Sequence, residues 1–198
     1  MPGLIGHNAG KASRRTAVTP EPASRLVLPK PMADMIPRVA GVYEFACEKG
    51  LGCFKPEDVA RMKLLIELSF GRKLVEGYMD MDDFRGVVLE KGFKSIALIR
   101  EIPGIPYSYL CKFATDPEKR TNGVGKALWT VLKTEFEPFI WRVAQANAQA
   151  NEWYSKRGAQ GPIPVGKWNV YWSGAREEDA AGFVQRVAAV PETLVAAK

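Results

Sequence analysis

The chain has 198 residues, of which 46% are hydrophobic, so it is long enough to fold as one domain around a substantial core. No apolar run approaches the roughly 18 residues that a membrane-spanning helix needs, and the N-terminus lacks the apolar stretch of a secretory signal. The composition excludes a disordered chain, a collagen and a membrane-spanning protein, and we expect a cytoplasmic location.

A net charge of +6 at pH 7 favours an anionic partner. That partner could be nucleic acid, a membrane surface, or a small ligand that carries phosphates and carboxylates, and the charge alone does not choose among them.

The three cysteines, Cys47, Cys53 and Cys111, form no pair of the CxxC type, and the chain has a single histidine, His7. A zinc site built from cysteine and histidine is therefore not predicted, and we expect no metal. We interpret the cysteines as reduced and mostly buried thiols.

Residues 1–30 mix small residues, prolines and basic residues without periodicity, and we interpret them as a disordered basic arm. A nucleic-acid-binding or targeting arm is the alternative. We expect residues 31–198 to form a single domain. Its first predicted helix begins at Pro56 and ends at Gly71, and a short second helix is predicted over 75–81.

The hydrophobic period then changes to that of strands, with turn signals at 91–92 and 103–106 that are typical of hairpins. The elements predicted from there on are strands over 87–89, 95–99 and 107–115, a helix that starts at 124 and ends before Pro138, a strand over 139–143, a short helix over 151–156, a strand over 169–172 and a helix over 177–190. Hairpins combined with one strand-helix-strand unit predict an α+β, or mixed α/β, fold with a central mixed, largely antiparallel sheet flanked by helices.

A loop with the sequence RTNGVGK, residues 120–126, joins the third strand to the amphipathic helix. Gly123 and Gly125 allow backbone N–H groups to approach a phosphate, and the helix start adds unpaired N–H groups and a positive dipole end. Arg120 and Lys126 supply charge-assisted contacts. Glycines that merely start a helix are the alternative interpretation.

Spacing excludes two better-known phosphate loops. A Walker loop requires glycine where this chain has Arg120, and Ser or Thr where it has Ala127. A dinucleotide-binding fingerprint requires Gly or Ala where this chain has Leu128.

The segments around the loop resemble the acetyltransferase domain of N-acetylglutamate synthase, of the type found in vertebrates and in some bifunctional bacterial synthase/kinases. The motifs that carry the resemblance, spread over about 55–175, are SFGRKL (69–74), PYSYLCKFA (106–114), LW (128–129), FIWR (139–142), NEWY (151–154) and KWNVYW (167–172). The resemblance implies the GNAT fold, acetyl-CoA as co-substrate and a small-molecule amine acceptor, which would be L-glutamate in the first step of arginine biosynthesis.

The resemblance also implies site residues. The implied cofactor-binding residues are Phe113, Ala114, Thr115, Arg120, Thr121, Asn122, Gly123, Val124, Gly125, Lys126 and Asn147. Lys112 and Arg142 match the family's acceptor-binding positions, and Arg72 or Lys73 could approach a second carboxylate. Tyr154 is the candidate acid for the leaving thiolate, and a backbone N–H near Phe113 would stabilise the oxyanion.

This chain departs from the family pattern at several positions. Ala144 stands where the family has a second arginine, Cys111 replaces an aspartate, and 147–151 holds one residue more. The kinase domain of long family members cannot fit in this chain. The acceptor therefore stays open between glutamate, another acidic amine and a protein side chain. A non-catalytic CoA-binding relative and a nucleic-acid-binding module are further alternatives, although no DNA-binding motif supports the latter. The family often assembles, which leaves a homo-oligomer open.

Overall fold

The computed structural model of the protein describes residues 42–47, 50–120 and 123–197. The strands of this part are β1 (Val42–Ala46), β2 (Arg72–Leu74), β3 (Phe84–Glu90), β4 (Ser95–Arg100), β5 (Ser108–Thr115), β6 (Phe139–Ala144), β7 (Gln160–Val165), β8 (Trp168–Ser173) and β9 (Leu194–Ala196). The helices are α1 (Pro56–Phe70), α2 (Val124–Phe136), α3 (Ala148–Ser155), α4 (Glu177–Ala181) and α5 (Val184–Ala189). Predictions for the arm over 1–30 and for His7 lie outside the described residues.

Seven strands form one sheet in the order β1-β3-β4-β5-β6-β8-β7, and β2 and β9 form a separate antiparallel pair. Within the large sheet, only β5 and β6 run parallel, and the helix α2 connects them. The predicted mixed, largely antiparallel sheet flanked by helices is confirmed.

Helices cover both faces of the large sheet. On one face, α1 buries Met62, Leu65 and Ile66 against β4 and β5, and α5 buries Val184 and Val187 beside them, against β6 and β8. On the other face, α2 buries a stripe at helical spacing, which contains Leu128, Trp129, Val131 and Leu132. The central strands β4 and β5 are therefore enclosed between two apolar layers.

The pairing of β4 with β5 contains a β-bulge. Leu98 pairs with Lys112 and Ile99 pairs with Leu110, so Cys111 is an extra residue without a partner of its own. The bulge brings the side chains of Cys111 and Lys112 to the same face of the sheet, where both approach Tyr78.

The ladder between β5 and β6 is very short. It contains only the pairs Ser108 with Phe139 and Tyr109 with Ile140, although β5 continues to Thr115 and β6 to Ala144. Beyond Tyr109, the backbone of β5 has no strand partner on its β6 side within the described residues, which leaves hydrogen-bonding groups for something else.

Some elements differ from those predicted. The helix predicted over 75–81 is only a 3-10 turn over Tyr78–Asp80, because Gly77 adopts a left-handed conformation that breaks the helix. The helix predicted over 177–190 is broken into α4 and α5 at Gly182, and α3 begins at Ala148 rather than at 151. Strands β1, β2, β7 and β9 were not predicted; β7 contains Pro162 and Pro164, which an edge strand tolerates.

Candidate functional site

The N-terminus of α2 is open towards solvent. Gly123 precedes the helix with φ +73°, and a Cβ atom added there would lie within 4 Å of no described residue apart from its chain neighbours. Within residues 42–47, 50–120 and 123–197 no side chain caps this helix start, so its first N–H groups are available to an anion. Lys126, in the first turn, is exposed. The predicted residues Thr121 and Asn122 lie outside the described residues.

The second glycine of the loop packs against the end of β5. A Cβ atom added to Gly125 would lie 3.5 Å from Thr115 Oγ1, 3.9 Å from Trp153 and 4.0 Å from Phe113. The N-terminus of α2 and the unpaired edge of β5 are therefore neighbours, as the predicted cofactor residues require.

The loop is also tied to the C-terminus of α1 through Ser69. The Arg120 guanidinium donates to the Ser69 carbonyl oxygen at 2.9 Å, and the Thr115 N–H donates to Ser69 Oγ at 3.1 Å. The cation at a helix C-terminus satisfies a carbonyl that has no partner within the helix. The N–H of Thr115 is thereby used within the chain.

A basic groove of about 470 Å³ lies between α2 and α3. The residues that line it are Lys126, Trp129, Thr130, Lys133, Thr134, Lys156 and Arg157. Of these, the sequence analysis identified only Lys126 as a binding residue. The spacing of Lys126, Thr130 and Lys133 along one face of α2 is the signal that could have revealed the groove.

Aromatic side chains fill the space behind the unpaired edge of β5. The Tyr154 ring centroid lies 6.2 Å from that of Phe113, 5.4 Å from Trp129 and 5.1 Å from Trp141. Tyr154 is only 7% exposed, and this burial raises its pKa well above the usual range, so the phenol keeps its proton. The indole N–H groups of Trp129 and Trp141 are buried and have no hydrogen-bond partner in the described structure.

On the opposite face of the sheet, Lys112 is 7% exposed. Its Nζ donates to Thr193 Oγ1 at 2.5 Å and to the Cys111 carbonyl at 3.2 Å, and lies 4.7 Å from the centre of the Tyr78 ring. Desolvation, with a smaller contribution from the charges of Arg100 and Arg142, lowers the pKa of Lys112 to about 8.

Arg142 caps the C-terminal end of α5. Its guanidinium donates to the carbonyl oxygens of Val187 at 3.2 Å, Ala188 at 2.5 Å and Pro191 at 3.1 Å, and lies 4.2 Å from the centre of the Trp168 ring. Three donated hydrogen bonds fix the side chain and compensate helix carbonyls that lack partners.

The two other predicted acceptor residues lie on β2. Arg72 and Lys73 are exposed and pair with Ala196 and Val195 of β9, and Lys73 forms an ion pair with Glu67 at 2.7 Å. The four predicted acceptor residues therefore each contact the C-terminal segment 191–196, at different residues along it.

The C-terminal segment supplies a carboxylate of its own. Glu192 forms an ion pair with Lys167, and that contact, with the charges of Arg142 and Arg72, lowers the pKa of Glu192. The chain thus already places one anion among the cations that were predicted to bind an acidic acceptor.

The backbone carbonyl of Ala144 is bound by the side-chain amide of Asn151. Asn151 Nδ2 donates to the Ala144 carbonyl at 3.0 Å, and Asn151 Oδ1 accepts from Tyr171 Oη and from Asn169 Nδ2, both at 2.9 Å. Asn147, a predicted cofactor residue, caps α3 through a bond of 3.0 Å from the Ala150 N–H to its Oδ1. These asparagines fix the start of α3 against β6.

A family model described as the N-acetyltransferase of N-acetylglutamate synthase matches residues 43–190. The chain belongs to this family. The recognition of an N-acetyltransferase domain with acetyl-CoA as co-substrate is thereby confirmed.

Several named proteins are similar to part of this chain. The mitochondrial N-acetylglutamate synthase of Danio rerio is 34% identical over 122 residues, which cover 59% of this chain and 22% of the relative. An acetylglutamate kinase of Xylella fastidiosa strain 9a5c is 26% identical over 143 residues, which cover 72% of this chain and 33% of the relative. The chain therefore spans a third or less of the length of these relatives.

A solved structure supports the GNAT fold of the domain. A GNAT-family acetyltransferase from Bacteroides thetaiotaomicron matches with a TM-score of 0.53 and 16% identity, covering 75% of this chain and 97% of that structure. The predicted GNAT fold is confirmed.

The start of α2 suits acetyl-CoA. The open space beside Gly123 leaves the first N–H groups of this helix accessible to a phosphate. Residues 42–47, 50–120 and 123–197 contain neither a helix long and apolar enough to cross a membrane nor a cluster of three or more His, Cys, Asp or Glu side chains suited to a metal.

Proposed function

We propose that this N-acetyltransferase domain transfers the acetyl group of acetyl-CoA to the amino group of L-glutamate, as the first step of arginine biosynthesis in the cytoplasm. The observation that carries the proposal is the unpaired edge of β5 beside the open N-terminus of α2. We also predict that residues 31–198 form a single domain and that the protein assembles as a homo-oligomer.

The residues of the loop hold the phosphates under this proposal. The N–H groups around Gly123, Val124 and Gly125 face the pyrophosphate, and Lys126 adds a charge-assisted contact. Arg120 keeps one nitrogen on Ser69 and orients its remaining donors towards the same phosphates. The groove lined by Lys133, Lys156 and Arg157 provides further positive charge for the nucleotide part.

The edge of β5 then binds the pantetheine arm. The backbone groups of β5 beyond Tyr109, around Phe113 and Ala114, form hydrogen bonds with the amides of the pantetheine arm. The arm then lies along β5 as an added strand. A backbone N–H near Phe113 stabilises the oxyanion that forms when the amine attacks the thioester, and one such donor contributes about 10²–10³ in rate.

Tyr154 serves as the acid for the thiolate that leaves. Its raised pKa keeps the phenol protonated at neutral pH, so a proton is available when the negative charge develops on sulfur. The ring lies beside Phe113, the residue next to which the thioester is proposed to bind.

The acceptor site is proposed on the other face of the sheet, at Lys112, Arg142, Arg72 and Lys73. The support for an acidic acceptor is that each of these four basic residues contacts the segment 191–196. A carboxylate bound there would exchange places with the hydroxyl of Thr193 or the carboxylate of Glu192.

A second candidate is acetylation of another amine, because two observations weaken a dicarboxylate site. The donors of Arg142 are engaged by three backbone carbonyls, and the position of Ala144 offers no cation. An acceptor with a single carboxylate would need only Lys112.

The test follows CoA release from acetyl-CoA by the purified chain, with glutamate, aspartate, glutamine and a lysine-containing peptide as separate acceptors. We expect release with glutamate, and loss of most of the activity in Tyr154→Phe but not in the control Tyr107→Phe, a tyrosine that contacts Phe183. Release with another amine alone would select the second candidate. If acetyl-CoA fails to bind in calorimetry, the proposed use of the loop is wrong.

A further inference from the structure

Two of the three cysteines lie against each other at the connection between β1 and α1. The Sγ atoms of Cys47 and Cys53 are 3.5 Å apart. Cys47 directly follows β1, and Cys53 lies in the turn that precedes Pro56, the first residue of α1. This pair takes no part in the proposed acetyl transfer.

The backbone holds the two thiols together. The Cys47 N–H donates to the Arg85 carbonyl at 2.9 Å, and the Gly50 N–H donates to the Asp82 carbonyl at 3.1 Å. Gly50 has φ +58°, and a Cβ atom there would lie 2.8 Å from the carbonyl oxygen of Met81. Only glycine permits this close approach, so Gly50 is fixed on the residues before β3, and Cys47 on β3 itself.

The two thiols differ in access and acidity. Cys47 is buried, with 4% exposure, whereas Cys53 is half-buried at the surface of the same cluster. The hydrogen bond between them lowers the pKa of Cys53, while that bond and burial raise the pKa of Cys47. An accessible thiol with thiolate character beside a buried partner is the arrangement of an attacking and a resolving cysteine.

We propose that Cys47 and Cys53 form a dithiol site that a low-molecular-weight disulfide converts to an intramolecular disulfide. The Cys53 thiolate attacks one sulfur of the small disulfide, forms a mixed disulfide and releases one small thiol. The Cys47 thiolate then attacks the Cys53 sulfur and releases the second small thiol. The two protons of the protein thiols leave with these products, so one disulfide is reduced as one is formed.

The geometry needs only a short adjustment. The S–S bond is about 2.05 Å long, so the two sulfur atoms must approach by about 1.5 Å. Cys53 lies in a turn outside any helix or strand, where such a movement breaks no ladder. The bond would close a loop from 47 to 53 and fix the end of β1 to the entry of α1.

The third thiol serves as an internal control. Cys111 lies on β5, accepts a hydrogen bond from Tyr78 Oη at 3.2 Å and donates to the Leu98 carbonyl at 3.1 Å. Burial raises the pKa of its thiol, so the fold keeps it less reactive than Cys53.

The experiment treats the reduced full chain with oxidised glutathione, quenches with acid and counts thiols in denaturant. We expect the count to fall from three to one. Trypsin cleaves after Arg38, Lys49 and Arg61, while the bond from Lys55 to Pro56 resists cleavage, so peptides 39–49 and 50–61 should remain linked without reductant. Their joint mass should be two hydrogens below the sum of the two reduced peptides.

Matched variants sharpen the outcome. Cys53→Ser should keep both remaining thiols, and Cys111→Ser should still lose two. If Cys53→Ser fails to fold, the peptide map of the parent chain decides alone. Three thiols after treatment, a stable glutathione adduct on Cys53, or a link that involves Cys111 would each overturn the proposal.

Discussion

Lys112 permits a quantitative prediction, because its ammonium group is buried without a carboxylate bonded to it in the described residues. Its pKa is about 8 in the folded chain, against the usual 10.5. The unfolded chain therefore binds the proton more tightly, and burial of the charge costs stability below pH 8. That cost falls as pH rises from about 8 to 10.5 and is absent above it.

The magnitude follows from the two pKa values. A difference of about 2.5 pH units corresponds to about 3 kcal/mol, at about 1.4 kcal/mol for each unit. Lys112→Met keeps the length and apolar part of the side chain and removes the charge. It also removes the bonds to Thr193 and Cys111, which costs about 1–2 kcal/mol. We expect K112M to be more stable than the parent chain by about 1–2 kcal/mol at pH 7.

The decisive measurement is how this advantage changes with pH. Urea unfolding of both chains, followed by tryptophan fluorescence from pH 7 to 10.5, should show the advantage shrinking by about 3 kcal/mol. Lys63→Met, at an exposed position of α1, controls for the loss of a lysine and should stay within about 0.5 kcal/mol of the parent at pH 7. A difference between K112M and the parent that is constant over this range would refute the reasoning.

Three further predictions concern the loop, the C-terminal segment and the proposed acid. Gly123→Ala should lower the free energy of unfolding in urea by about 1 kcal/mol, because Gly123 has φ +73°. It should also weaken acetyl-CoA binding about tenfold in calorimetry, because the new methyl group enters the space proposed for a phosphate. Arg142→Gln should lower the free energy of unfolding by about 2–3 kcal/mol through the loss of its bonds to the end of α5, and an unchanged value would contradict that role. Tyr154→Phe should lower kcat about 10²–10³-fold with less than about 1 kcal/mol of destabilisation. A raised KM for acetyl-CoA with an unchanged kcat would argue against an acid.

Sequence reasoning predicted well where the signal is local. The stripe of α2 has helical spacing, the hairpins around 91–92 and 103–106 have turn residues, and these elements form as expected. The order of these elements, together with the motifs, sufficed for the family. The edge strand β7 carries prolines instead of the alternation of a strand, and β2 and β9 are too short for any period to show.

The site was predictable only in part, because local sequence patterns do not show contacts between residues far apart in the chain. The loop and the aromatic motifs are continuous in sequence, so their residues were identified together. Arg142 contacts Val187, Ala188 and Pro191, which lie more than forty residues away in the chain. No local sequence pattern predicts these contacts. The contact between Cys47 and Cys53 likewise depends on the turn at Gly50 and not on a CxxC spacing.

The bulge at Cys111 affects which face of the sheet the side chains of β5 occupy. In a regular strand, neighbouring side chains alternate between the two faces, so only one of residues 111 and 112 could face the proposed acceptor. With the extra residue, both do, and Phe113 still turns back towards Trp129 and Trp153. Deleting Cys111 would remove the bulge and restore regular alternation, with Lys112 still on the face of the proposed acceptor and Phe113 still in the aromatic cluster. The bulge therefore adds Cys111 to the face of the proposed acceptor without moving Lys112 or Phe113 to the other face.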